Sequence, residues 1–271
     1  MKMRMLMDMG MKVDDTEYPK QAIPAIVMTL NTKVVSVSPE GEIRYDIAFS
    51  DCSVEAGGEQ PEIAEMLKDV LAPLSKVSGT CLVTTRCFNK ETKLNPPEGL
   101  DASSSSMFDN MKQQVGQIGS PFPEEAVGVG ARWKVSSKIK SQEIGVDQVT
   151  TVELLEIKDG VARMSVSLEQ TASAGQKLTP PGLPPGASLE VQSLKPTGSG
   201  KMEHALASVA PVSSAMKMGT DVSMKVVQGE EAHTMSQHIG LEMIISPGAE
   251  ADKAEKPAEK PADKPAETPN K

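Results

Sequence analysis

Methionine occupies every odd position from Met1 to Met11 and Val13 extends the series, while Lys2, Arg4, Leu6, Asp8, Gly10 and Lys12 fill the even positions. A helix would spread these side chains around its circumference. A β-strand sends alternate side chains to opposite faces and gathers the methionines into one apolar stripe. The alternation therefore predicts a strand with one buried face. A flexible, sulfur-rich stripe of this kind serves as ordinary core, as the wall of a lipophilic pocket, or as a ladder for a soft metal ion, and core packing ranks first of the three.

Methionine has to do more packing here than usual. Aromatic residues make up 3% of the 271 residues, and methionine occurs 17 times. Its unbranched thioether fills irregular gaps and accepts varied apolar partners. The formal net charge of −9 and the lack of an arginine-rich patch argue against nucleic-acid binding, because an acidic surface repels phosphate backbones. No apolar run is long enough for a membrane-spanning helix. The charged residues of the opening strand also differ from the continuous apolar segment of a secretory signal. A strand that starts at the first residue suggests that an export signal belongs upstream.

The period-two pattern continues along the chain. Ala25 to Val37 reads as a strand, Ser38-Pro39-Glu40-Gly41 as a turn, and Ile43, Tyr45, Ile47 and Phe49 as the inward residues of the return strand. Pro61-Glu62 opens an amphipathic helix with a stripe of Ile63, Met66, Leu67, Val70, Leu71 and Leu74, which Pro73 should bend or end. A strand near Thr80 to Phe88 is expected next. The run Ser103 to Ser106 offers N-caps for a second helix with Met107, Phe108, Met111, Val115 and Ile118 on one side.

From Trp133 the pattern is again that of strands, with turns at Lys158-Asp159-Gly160, Gly198-Ser199-Gly200 and Gln228-Gly229-Glu230. Met216, Met218, Val222, Met224 and Val226 repeat the opening stripe, and Met235, Ile239, Leu241, Met243 and Ile245 answer it. The expectation is an α+β fold: a large curved antiparallel sheet of about eleven strands, half-barrel or barrel, with two amphipathic helices. One β-rich domain over 1–248 is expected, with a two-part organisation into 1–120 and 121–248 as the alternative, and the Lys/Pro/Ala/Glu repeats of 249–271 read as a disordered tail.

Few residues suggest chemistry. Gly198-Ser199-Gly200-Lys201 fails as a phosphate loop because Lys195 stands where its first glycine belongs, and Gly128 and Gly130 lead into a strand where a dinucleotide motif needs a helix. No cofactor motif, nucleophile elbow or zinc quartet is present, and no enzyme activity is expected. Cys52, Cys81 and Cys87 leave at least one thiol unpaired, and the bland reading keeps all three reduced. Soft-metal candidates are Met202 with His204 and His233 with Met235, spaced to share a strand face and bind Cu(I). The ligand-facing candidates are Met3, Met5, Met7, Met9, Met216, Met218 and Met224.

The stretch Pro123-Glu124-Glu125-Ala126-Val127-Gly128-Val129-Gly130-Ala131-Arg132-Trp133 resembles an uncharacterised family of bacterial exported proteins and lipoproteins that carries a Pro-x-x-x-Val-x-Val-Gly-x-x-Trp element. The resemblance implies an envelope or periplasmic location. Here Pro123 would end a helix, Gly128 and Gly130 would allow a tight approach into the next strand, and Trp133 would anchor it. No lipid-attachment cysteine stands near the start. The strand pattern is also similar, at the level of fold, to the half-barrels of periplasmic lipoprotein and lipid carriers, which implies a non-enzymatic domain whose Met-rich concave face binds an apolar ligand or a lipidated partner. The alternatives are a structural or protein-interaction module of the envelope, and a Met/His-based Cu(I)-binding protein. Oligomeric state is left open.

Overall fold

In the computed structural model the described residues are 1–55, 61–97, positions 105, 108, 111, 112, 115, 116 and 119, and 121–141, 144–178, 187–228 and 231–248. The opening alternation does form a strand, β1 (Lys2–Val13), and it lies near the middle of the sheet, flanked by β2 (Thr16–Val37) and β12 (Glu231–Ser246). The other strands are β3 (Glu42–Val54), β4 (Ser78–Thr84), β5 (Asn89–Asn95), β6 (Arg132–Ser141), β7 (Ile144–Lys158), β8 (Val161–Ala172), β9 (Lys177–Leu178), β10 (Ala187–Ala205) and β11 (Ser213–Gln228). Eleven of them form one path, β5-β4-β3-β2-β1-β12-β11-β10-β8-β7-β6, and β9 pairs with β10 off that path. The strand pairings are antiparallel, from Lys2↔Ser246 to Val13↔Met235 between β1 and β12.

The sheet is not closed, because the path ends at β5 and β6; this corrects the barrel alternative. It is strongly curled nonetheless. β4 and β10 stand six positions apart in the path, roughly 29 Å on a flat sheet. Yet Cys87 Sγ, in the turn after β4, lies 3.5 Å from His204 Nε2 on β10. The curl defines an inner face, and alternation assigns Met3, Tyr45, Met202 and His204 to it.

Two prolines make the curl cheap. The β1–β2 register shifts between Met5/Met7 and between Met9/Met11, where β2 runs from Ile26 to Ile23 and from Gln21 to Tyr18. Each shift contains one proline of β2, Pro24 or Pro19. A proline cannot donate to the ladder, and a bulge absorbs it while bending the strand. The expected strand from Ala25 is therefore longer, starting at Thr16. Gly198-Ser199-Gly200 is corrected too. It lies inside β10, facing Met218, Lys217 and Met216 on one side and Leu168, Ser167 and Val166 on the other.

The turns with the right residue chemistry are where alternation puts them. Asp159 and Gly160 both have positive φ, the signature of a two-residue hairpin turn that matches strand twist. At Ser38–Gly41, Gly41 (φ 84°) donates its N–H to the Ser38 carbonyl at 3.0 Å. Cys87 lies in the turn between β4 and β5 at φ 59°, so the strand expected to reach Phe88 ends at Thr84.

One α-helix is bounded among the described residues, α1 (Pro61–Leu71), with Glu62 in its first turn and Lys68 in its last, the charge order that suits the helix dipole. Pro73 ends it in a 3-10 turn, Pro73–Lys76. The helix packs on β2 and β3, and Leu71 and Leu74 are each 2% exposed. Met66 is corrected: it is 58% exposed and belongs to the solvent side. The second expected helix falls mostly outside the described residues, including Met107 and Ile118. Its described positions 105, 108, 111, 112 and 115 are helical. Phe108, Met111 and Val115 are buried in the same core as α1. The tail 249–271 lies outside the described residues.

Two cores result. The N-terminal arm gathers Met28, Leu30, Ile47, Phe49, Leu71, Leu74, Cys81 and Val83 with Met3 and Ile245 of the central strands. The C-terminal arm has a smaller core of Val152, Leu154, Met164, Val166, Met202 and Met216, covered by Phe122, Val127 and Trp133. Met243 packs against both. At about 1.5–3 kcal/mol for each large apolar side chain removed from water, these two clusters dominate the stabilisation. The outer-face ion pairs, such as Arg4–Glu55 and Arg163–Glu156, are exposed and contribute about 0–1 kcal/mol each.

Candidate functional site

The inner face of the central strands is built from cross-strand rows. Met202, Ser214, Ile245, Met3 and Met28 form one row, and each of these residues is buried. The next is Gly200, Met216, Met243, Met5 and Ile26, in which Met216 and Ile26 are buried and Met243 and Met5 half-buried. Beyond it come Gly198, Met218, Leu241, Met7 and Ile23, and then Thr220, Ile239 and Met9; every one of these is half-buried. The stripe thus passes from closed core at Met3 to a partly open apolar face at Met7 and Met9.

Glycines shape this face. A Cβ on Gly198 would lie 2.9 Å from Met218 Cγ, and one on Gly200 would lie 2.5 Å from Met216 Sδ. Both methionine side chains therefore lean over bare backbone of β10, which larger residues would deny them. At the far end, Met224 is buried and faces Met235 across the strands, so this ligand-facing candidate is separated from Met218 by Thr220 and Val222 and belongs to a packed end of the face.

The metal candidates do not converge. Met202 and His204 share the inner face of β10, but His233 and Met235 belong to the opposite end of β12, beside Asp14 and Val13. His233 Nδ1 is 2.8 Å from Asp14 Oδ2, and the same carboxylate accepts the Thr234 N–H at 2.9 Å. These contacts, the Thr234 bond first, hold the exposed Asp14 carboxyl below its usual range. Among the described residues no three His, Cys, Asp or Glu side chains gather as a metal site.

Sequence spacing gave no sign of the contact between Cys87 and His204, 117 residues apart. His204 is 1% exposed, and its ring meets Phe122 edge-on at 5.4 Å. His204 Nε2 lies 3.0 Å from the Ser208 carbonyl. A carbonyl can only accept, so Nε2 carries the proton. Nδ1 is then a bare acceptor, and it has no partner among the described residues. The Cys87 thiol also points at the Ser208 oxygen, at 3.9 Å. Burial pushes this thiol up to about 11 and the imidazole down. A protonated thiol beside an imidazole N–H is no nucleophile–base pair. All three cysteines are free, Cys81 and Cys87 buried and Cys52 half-buried.

This cluster instead joins the two arms. Arg86, next to Cys87, accepts the Phe122 N–H on its carbonyl at 2.9 Å, and its guanidinium reaches the Phe122 carbonyl at 3.3 Å and Glu124 at 2.6 Å. Trp133 Nε1 donates to the Pro121 carbonyl at 2.9 Å, and its ring packs near Phe122 against the C-terminal core. Gly130 has φ 88° and needs to be glycine on that ground, whereas a Cβ on Gly128 or Gly130 would meet nothing within 4 Å. The expected tight approach at these two glycines is corrected. No helix among the described residues is long and apolar enough to cross a membrane. No family model, curated protein or solved structure matches the chain.

Proposed function

We propose that this protein is a non-enzymatic binding domain of the bacterial envelope that holds an apolar ligand, such as an acyl chain or a lipidated partner, on its inner face around Met7, Met9, Met218, Ile239 and Leu241. The observation that carries the reading is the loss of burial along a single stripe. The same alternation that is sealed at Met3 is half-buried from Met5 onward, and an apolar strip left partly uncovered in a curled sheet suits a chain-like ligand. Methionine suits it further, since a thioether side chain re-packs around occupants of different shape. The envelope location rests on the resemblance of the Pro123–Trp133 element.

Organic extraction and mass spectrometry of natively purified protein should recover lipid, and a fluorescent fatty acid should bind the delipidated protein. Leu241→Glu, which places a charge in the middle of the strip, should weaken that binding by about tenfold or more. Absence of both lipid and probe binding would reject the reading. A protein-interaction role is favoured by a different surface: Val129, Leu155, Ile157 and Leu206 of the C-terminal arm are 65%, 42%, 46% and 55% exposed.

A further inference from the structure

The open end of the methionine stripe turns from apolar to polar without gaining charge. In the Met9 row, Gln21 faces Met9 from β2 and Thr220 faces Ile239 from β11. Gln237 follows one row further on, opposite Met11 and Val222, and its Nε2 lies 2.6 Å from Met9 Sδ, so its side chain lies over the strip. On β8, Gln170 comes one position beyond Thr197↔Glu169, the end of the β10–β8 pairing, and its Nε2 donates to Gln148 Oε1 at 2.6 Å. Thr220, Gln237 and Gln170 are half-buried. Alternation sends Lys2, Arg4, Asp8, Lys12, Lys217 and Glu242 to the outer face. From the Met3 row to the Gln237 row, the inner-face residues of β1, β10, β11 and β12 are all uncharged.

We propose that the ligand of this strip is a neutral acyl ester or amide, with its chain over Met5, Met7 and Leu241 and its ester or amide group at Thr220 and Gln237, and that the strip selects against free fatty acids. The inference rests on the apolar-ligand reading and adds the class of ligand. A carboxylate entering a half-buried site gives up hydration, and no lysine or arginine among these inner-face residues compensates the loss. An ester or amide loses far less. The Gln237 amide N–H groups can donate to its carbonyl, and the Thr220 hydroxyl can accept from an amide N–H or a glycerol hydroxyl. From Met5 to Met11 the stripe runs about 20 Å at the strand rise, the length scale of an extended acyl chain. Met3 closes one end of that run with packed core, so the polar end of the ligand lies at the glutamine end.

The test is calorimetric titration of the delipidated full chain with two probes of equal chain length, decanoate and 1-decanoylglycerol, at about pH 8, where a carboxyl group is ionised. The glycerol ester should bind about tenfold more tightly than decanoate. Gln237→Lys places a cation at the polar end of the strip and should reverse that order, whereas Lys217→Gln on the outer face should leave the ratio unchanged. Equal affinity for the two probes, or tighter binding of decanoate to the parent protein, would overturn the inference and leave the apolar-ligand reading standing. Binding of neither probe would reject that reading and the inference with it. If Gln237→Lys does not fold, the ratio of the two affinities in the parent protein decides.

Discussion

In the N-terminal arm, Leu30, Ile47 and Phe49 are 1–3% exposed because α1 and the 3-10 turn lie over them. On the central strands, Met7, Met9, Leu241 and Ile239 have the same alternation and remain half-buried. The C-terminal arm is sealed as tightly at its centre, where Val152, Leu154 and Met164 are 0–2% exposed, but its core is covered by Phe122, Val127 and Trp133 in place of a helix. Alternation thus chooses the face of a strand, and the covering element chooses whether that face becomes core. Methionine tolerates either outcome, which is why one stripe can run through both.

The contrast can be broken most directly by truncation. Leu30→Ala and Ile47→Ala should each cost about 2–5 kcal/mol in denaturant unfolding, whereas Leu241→Ala on the open strip should cost about 1 kcal/mol or less. Equal losses would mean that the strip is as well packed as the covered core. Trp133→Ala should cost about 2–3 kcal/mol through lost packing and the unpaired Pro121 carbonyl. Trp133 is also the one tryptophan of the chain, so its fluorescence reports the C-terminal arm. Its transition should coincide with that of far-UV circular dichroism if Met243 and the Cys87–His204 contact couple the arms; separated transitions would show arms that unfold independently.

Acid should attack the junction next. His204 is held neutral below its ordinary value of 6.5, chiefly by burial. As pH falls through that value the unfolded chain takes up a proton that the folded protein refuses, and stability drops by up to about 1.4 kcal/mol per pH unit until the folded imidazole titrates. Above pH 6.5 this penalty is absent. His204→Phe should remove that component, measured as the difference between variant and parent unfolding free energies across the acid range. The smallest effect is expected on the outer face, where Arg4→Ala breaks the exposed pair with Glu55 for about 0.5 kcal/mol, reduced further by salt.

Much of the sheet was legible because side-chain period and turn chemistry are local. Met3, Met5, Met7, Met9, Met216 and Met218 do share one inner face, and Asp159-Gly160 does turn the chain. Prolines and glycines take places in this sheet that local propensity alone would not assign them. Pro19 and Pro24 sit inside a strand at bulges, and Gly198 and Gly200 make room for methionine side chains instead of a turn. Partner choice was not legible at all. Nothing in the spacing says that Met5 faces Met243, or that Cys87 meets His204, since those contacts follow from sheet order and curl. The exposed Met66 shows the same limit on a helix, where a stripe drawn too wide includes a solvent position.

The pairing of β1 with β12 also sets a timetable for synthesis. β1 leaves the ribosome more than two hundred residues before β12, so for most of translation its methionine stripe has β2 on one side and a bare edge on the other. Nascent chains in that interval are open to strand addition by another copy or to capture by a chaperone. The final descent into the native state waits on the last hairpin, β11–β12, closing the gap at the centre of the sheet.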